Sequence, residues 1–171
     1  MIVLACDPGV DGAFALWNGA ALSARAMPTY LKPAGARQTE RRFIDRAAVV
    51  ALLAEWRLHG AELLAIEKIG GFEGQSVHGA FMFGHGAGGV TYAAEALGYR
   101  IEEIPPATWK TALKVPADKK LACARATALL PAWADLWAEV RGNGSLAARS
   151  GKAEAALIAL YARQTLGPLH G

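Results

Sequence analysis

The chain has 171 residues, 53% of them apolar, and a formal net charge of +3. That length suits one domain with a central sheet and several helices, and its longest apolar runs, such as Ala47 to Ala54, are far short of a membrane span. The charge permits a nucleic-acid partner without demanding one, and two cysteines are too few for a disulfide framework.

The first element is Ile2 to Cys6, a continuous apolar run that leads straight into Asp7-Pro8-Gly9. It reads as a buried central strand with an aspartate at its carboxyl end, where open α/β sheets place ligands. Asp before Pro-Gly is also ordinary turn chemistry. No basic leader precedes the run, so no signal peptide is expected. Cys6 and Cys123 lie in apolar stretches and read as small core residues in a reducing, cytoplasmic setting. Ala13 to Trp17 follows as a second strand, Asn18-Gly19 is a hairpin signal, and Ala20 to Ala26 returns as a third strand. The three form an antiparallel meander. Asp11, in the first turn, either shapes that turn or adds a further acid near its end.

Pro28 to Phe43 carries Lys32, Arg37, Arg41 and Arg42 against only Glu40. It reads as a surface excursion, either a solvated loop or an arm that contacts phosphate. Asp45 is the expected N-cap of a helix through about His59, with Ala48, Val49, Leu52, Leu53 and Trp56 on its core face and Gly60 closing it. Leu63 to Ile66 is a second apolar strand that also runs into an acid, Glu67. Strand, helix and strand make a right-handed crossover, so this strand lies parallel to the first. Asp7 and Glu67 then meet at one sheet edge.

Lys68 to Ser76 is a Gly-rich loop holding Phe72. Val77 to Leu97 reads as a long helix crossed by Gly84, Gly86, Gly88 and Gly89. Each glycine costs about 1 kcal/mol in a helix interior. Either the helix breaks there, or its backbone packs closely on the sheet or a second subunit. His78 and His85 read as structural or phosphate-facing rather than as ligands. Tyr99 to Ile104 is a fifth strand, stopped by Pro105-Pro106. Short helices start at Pro106 and near Asp118, the second running to about Leu130. Ala132 to Arg141 is expected as an amphipathic helix with Trp133 and Trp137 in the core, and Arg141 to Ser150 as a flexible basic loop. The last helix, Gly151 to Leu166, carries Glu154 in its first turn. Leu157, Ile158 and Tyr161 share its side of the helix, so Glu154 points inward, where an unpaired carboxylate is costly. A metal ion would remove that cost. Three carboxylates at the ends of apolar elements thus predict one divalent-metal site.

The ordered set of elements, acids and small motifs resembles the RuvC-like Holliday junction resolvases, of the phage and related bacterial branch, within the ribonuclease H-like superfamily. The resemblance covers most of the chain. It is carried by Asp7-Pro8-Gly9 with Gly12-Ala13, Ile66-Glu67, Gly74-Gln75-Ser76, Phe83-Gly84, Pro106 to Lys110, Lys119-Lys120, and Gly151 to Ala159. It implies a single α/β domain whose five-stranded mixed sheet has the order 3-2-1-4-5, with strand 2 antiparallel. It also implies a homodimer, paired through the helix that starts near Val77, that nicks four-way DNA junctions with Mg²⁺ or Mn²⁺.

Carried over by residue, Asp7, Glu67 and Glu154 take the metal-ligand places. Two ions would clamp the scissile phosphate, with Asp7 bridging them. Lys110, with Lys119 or Lys120, falls close to that phosphate; of the last two, Lys120 is taken as catalytic. Lys68, Phe72, Gln75, Lys110, Lys114, Lys119, Lys120, Arg149 and Lys152 are the expected DNA contacts, Phe72 by stacking on opened bases. The chain departs from the pattern at one point. The family usually places a fourth acid three or four residues before the last one, and here those positions are Gly151 and Ser150. A non-catalytic or weakly catalytic junction binder therefore stands beside the resolvase. So do a nuclease of the same fold acting on another structured nucleic acid, because the sequence separates such substrates poorly, and, from the Asp7-Pro8-Gly9 turn after the first strand, an actin-type ATPase. The last needs two such domains, and the chain has one.

Overall fold

The computed structural model describes residues 1–34, 39–71, 74 and 76–166. The strands are β1 (Val3–Asp7), β2 (Ala13–Trp17), β3 (Leu22–Ala26), β4 (Thr29–Ala34), β5 (Thr39–Ile44), β6 (Leu63–Glu67) and β7 (Arg100–Ile104). The α-helices are α1 (Arg46–Leu58), α2 (Val77–Ala96), α3 (Pro106–Leu113), α4 (Lys119–Leu129) and α5 (Leu146–Leu166). None of them is long and apolar enough to cross a membrane.

The main sheet has the order β3-β2-β1-β6-β7. It is the expected five-stranded mixed sheet. β1 pairs antiparallel with β2 and parallel with β6, and β6 pairs parallel with β7. Because Cys6 lies opposite Ile66, Asp7 and Glu67 emerge side by side from adjacent strands.

Alternation along β1 sends side chains into two cores. Val3 and Ala5 pack with α3, α4 and α5, and Leu4 and Cys6 pack with α1 and α2. The alanine-rich composition has its reason here. Ala5, Ala13 and Ala15 of the sheet meet Ala153, Ala155, Ala156 and Ala159 of α5, all fully buried. Small residues on both sides let the α5 backbone come close to the sheet.

Two caps fall where the sequence places them: Asp45 accepts from the Ala48 N–H at 3.0 Å, and Asp118 from those of Lys120 and Leu121. Ser76 adds a third for α2, accepting from the Gly79 N–H. Gly60 follows α1 with φ +84°, the left-handed conformation that glycine adopts freely.

Three local expectations are corrected. Pro28 to Phe43 is no plain loop: β4 and β5 form a separate two-stranded ribbon. Its strands place Lys32 opposite Arg41 and Tyr30 opposite Phe43, whose rings lie 6.0 Å apart. Pro33 masked this strand, but a free ribbon edge tolerates proline. Ala132 to Arg141 is not a helix. A 3₁₀ segment, Pro131–Leu136, is followed by turns. Trp133 and Trp137 still reach the core, Trp133 edge-on to Trp17 and Trp137 donating to Thr127 Oγ1 at 3.0 Å. Finally, α5 begins at Leu146 rather than Gly151, so Arg149 and Ser150 are buried helical residues and not loop. Glu154 sits two turns inside α5, beyond the reach of its dipole. The Gly142–Ser145 stretch hid this start, because Ala147 and Ala148 add no apolar period to distinguish helix from loop.

Helix α2 is unbroken through all four glycines. A Cβ on Gly86 would lie 2.7 Å from Ile44 Cδ1, so that glycine admits the ribbon. A Cβ on Gly89, by contrast, would point into open space, with nothing within 4 Å beyond its own helix backbone among the described residues.

Candidate metal and nucleic-acid site

The site lies at the carboxyl edge of β1 and β6. Asp7 ends β1, Glu67 ends β6, and Glu154 faces them from α5. Three predicted ligands far apart in sequence are thus brought to one edge. Helix α3 adds two groups from consecutive residues. Trp109, fully buried, donates its indole N–H to Glu67 Oε2 at 2.9 Å. Lys110 Nζ lies 2.9 Å from Glu154 Oε2 and 5.0 Å from the centre of the Trp109 ring. Ser150, one helical turn before Glu154, donates its hydroxyl to Glu154 Oε1 at 3.0 Å. Both oxygens of Glu154 are thereby held.

Burial and crowding govern the charges. The Asp7 carboxyl is pushed up to about 7, first by burial and then by the nearby Glu154 and Glu67; Lys110 and the Gly9 N–H oppose this. Burial also raises Glu67, against the pull of Lys110 and Trp109. Burial alone would lower Lys110, but its hydrogen bond to Glu154 and the charges of all three acids raise it. The buried Cys6 thiol is pushed well up by desolvation and by Asp7 and Glu67, so it behaves as an inert core group.

Among the described residues, no three His, Cys, Asp or Glu side chains close around a single point as metal ligands do. The donor chemistry nevertheless fits a hard divalent cation. The three acids offer oxygen only, which suits Mg²⁺ or Mn²⁺, and Mg²⁺ needs few protein ligands because it keeps several waters. A recess of about 150 Å³ between Asp7 and Glu154 has room for such an ion with water. Bringing cationic charge there would relieve the repulsion that raises Asp7.

The remaining candidates are dispersed. Lys119 lines the recess and Lys120, which the sequence reading took as catalytic, does not, although both are exposed at the start of α4. Lys68 and Lys114 are exposed, Lys114 with φ 53° at the end of α3. Lys152 is half-buried, with Nζ 3.5 Å from Asn143 Oδ1. Arg149 departs from expectation: it is buried, and its guanidinium lies 3.5 Å from Glu139 Oε1, so as folded it offers no surface to DNA. Phe72 and Gln75 lie outside the described residues. Asp11 lines the recess but pairs with Arg42 of β5, which ties the ribbon to the β1–β2 turn.

Sequence reasoning did not single out Trp109 or Ser150. A signal existed for Trp109, because a tryptophan beside a site lysine in a short apolar helix needs a buried acceptor. For Ser150 the signal was its place four residues before Glu154, which the sequence reading marked only as the position of a missing acid.

Comparison with solved structures places this architecture. Over 96% of both chains it matches Thermus thermophilus RuvC, once in complex with a Holliday junction substrate (TM-score 0.58, 16% identity) and once alone (TM-score 0.56, 19% identity). No family model and no curated protein matches the chain. The chain therefore shares the fold of these RuvC structures, a five-stranded mixed sheet flanked by helices. At this identity the likeness is one of fold.

Proposed function

We propose that the chain is a metal-dependent endonuclease that resolves four-way DNA junctions. The observation that carries this reading is the convergence of Asp7, Glu67, Glu154 and Lys110 on one sheet edge. The RuvC-like fold supports it, as does the junction held by the solved relative.

A divalent ion, if bound at this edge, would supply an activated water and neutralise charge at the phosphate. Asp7 and Glu154 flank the recess and would hold it, with Glu67 completing the carboxylate set from the neighbouring strand. Trp109 and Ser150 fix the orientations of Glu67 and Glu154. Lys110 and Lys119 place positive charge beside the same recess, where the pentavalent phosphate carries its greatest negative charge. Further out, Lys32 and Arg41 share a face of the ribbon and would contact phosphate away from the cut. Symmetric nicking requires two such edges. The exposed Val77, Phe81 and Tyr92 of α2, with the open Gly89, supply an apolar surface for a second copy.

The test is cleavage of an immobile four-way junction with Mg²⁺, with Mn²⁺ and with chelator. Paired nicks in metal only, lost in Asp7→Asn while junction binding is kept or improved, are expected. Tight binding without nicks in either metal would make the protein a junction binder. Preferential cutting of an RNA–DNA hybrid in the same assay would move the substrate to another nucleic acid.

A further inference from the structure

The position three residues before Glu154 has no room for an acid. A Cβ on Gly151 would lie 2.2 Å from the Asp11 carbonyl oxygen and 2.9 Å from Gly12 Cα. Both are backbone atoms of the β1–β2 turn, so neither can swing aside as a side chain would. The position four residues before carries Ser150, which is buried and already donates to Glu154 Oε1. A neutral donor thus stands where a fourth carboxylate would add charge. On the other side of Glu154, the Lys110 ammonium holds Oε2 at 2.9 Å and is felt by Glu67 and Asp7 as well.

Charge counting then decides how many ions fit. With Asp11 neutralised by Arg42, the three carboxylates and the ammoniums of Lys110 and Lys119 carry −1, which one divalent cation already outweighs. A second would leave the edge at +3 before DNA arrives, in a partly buried place where like charges repel strongly. Space argues the same way. The recess is lined by Asp7 and Glu154 and not by Glu67, and the Lys110 ammonium already sits 2.9 Å from Glu154 Oε2.

We propose that each chain holds one divalent cation, between Asp7 and Glu154, and that the Lys110 ammonium supplies the positive charge a second ion would otherwise bring. This rests on the metal-dependent reading and replaces the two-ion arrangement expected from the family resemblance. Lys110 is then both a partner of Glu154 and a substitute for a metal ion. It cannot be exchanged for a neutral residue without changing the ion count.

The experiment is a Mn²⁺ titration of the DNA-free protein, with free Mn²⁺ followed by electron paramagnetic resonance. The wild-type chain should bind one ion, and Glu154→Gln should weaken it at least tenfold. Lys110→Met and Ser150→Asp, checked for folding by circular dichroism, should each admit a second ion at millimolar Mn²⁺. Two ions of comparable affinity on the wild-type chain would overturn the single-ion inference and leave the metal site standing. Absence of saturable binding in both wild type and Lys110→Met would instead refute the metal reading itself, and this inference with it.

Discussion

The indole N–H of Trp109 donates to Glu67 Oε2 at 2.9 Å, from a side chain with no solvent exposure. The next residue, Lys110, pairs with Glu154 at the same distance. One short helix therefore sets the orientation of two of the three acids. Trp109→Phe keeps the ring and removes the donor. Junction nicking is expected to fall about tenfold with junction affinity unchanged, as fits loss of a hydrogen bond worth roughly 1–2 kcal/mol. A single-turnover assay beside a binding titration checks this. Equal loss of binding and nicking would mean that the change had disturbed the fold.

The pH dependence of stability follows from Asp7 and Glu67. Both carboxyls titrate higher in the folded chain than their ordinary values, Asp7 at about 7 instead of 3.8. Between about pH 4 and 7 the folded state holds protons that the unfolded state has released, so stability falls as pH rises through that window. The Asp7 contribution is at most about 4 kcal/mol, at 1.36 kcal/mol per unit. Urea unfolding in chelator should therefore give a less stable protein at pH 8 than at pH 5. Asp7→Asn should flatten the slope, leaving the Glu67 part. Mg²⁺ at pH 8 should recover the stability. A flat profile in the wild-type protein would contradict the crowding of acids at this edge.

Gly151→Ala tests the close approach of α5 to the β1–β2 turn. In an ordinary helix interior this change would stabilise by up to about 1 kcal/mol. Here the added Cβ meets backbone at 2.2 Å, and the cost of forced repacking is about 1–3 kcal/mol. The clash outweighs the propensity, so the variant should be net destabilised in urea. A gain in stability would show that the turn yields easily.

The ribbon offers a salt-dependent prediction. Lys32 and Arg41 lie directly opposite each other on β4 and β5 and are exposed. If both contact phosphate, Lys32→Ala with Arg41→Ala should weaken junction binding and reduce the slope of log K against log salt by about 2. An unchanged slope would leave the ribbon a support for α2 and the β1–β2 turn, through Ile44 and Arg42.

Much of this was legible in the chain itself. Apolar runs ending in Asp7 and Glu67, the second entered from an amphipathic helix, pointed to two parallel strands, because a helix that packs back on the sheet returns the chain in the same direction. The period of Leu157, Ile158 and Tyr161 determined that Glu154 points inward. Asp45 and Asp118 marked helix starts because a cap is a local hydrogen bond, written within four residues.

Tertiary structure decided the rest. The ribbon escaped notice because charges on both its faces and Pro33 conceal its alternation, and only packing against α2 and the β1–β2 turn gives it a place. The true start of α5 was hidden because alanines carry no periodic signal; the helix is held there by a neighbouring sheet of equally small residues. Ser150 reaches Glu154 within one turn of α5, but Trp109 gained its role only when α3 was laid against the sheet edge. No local pattern announces which oxygen of a distant carboxylate a side chain will reach. The sequence by itself singled out three acids that the fold brings to one sheet edge; the fold decided what holds them, and that a Cβ at Gly151 meets backbone.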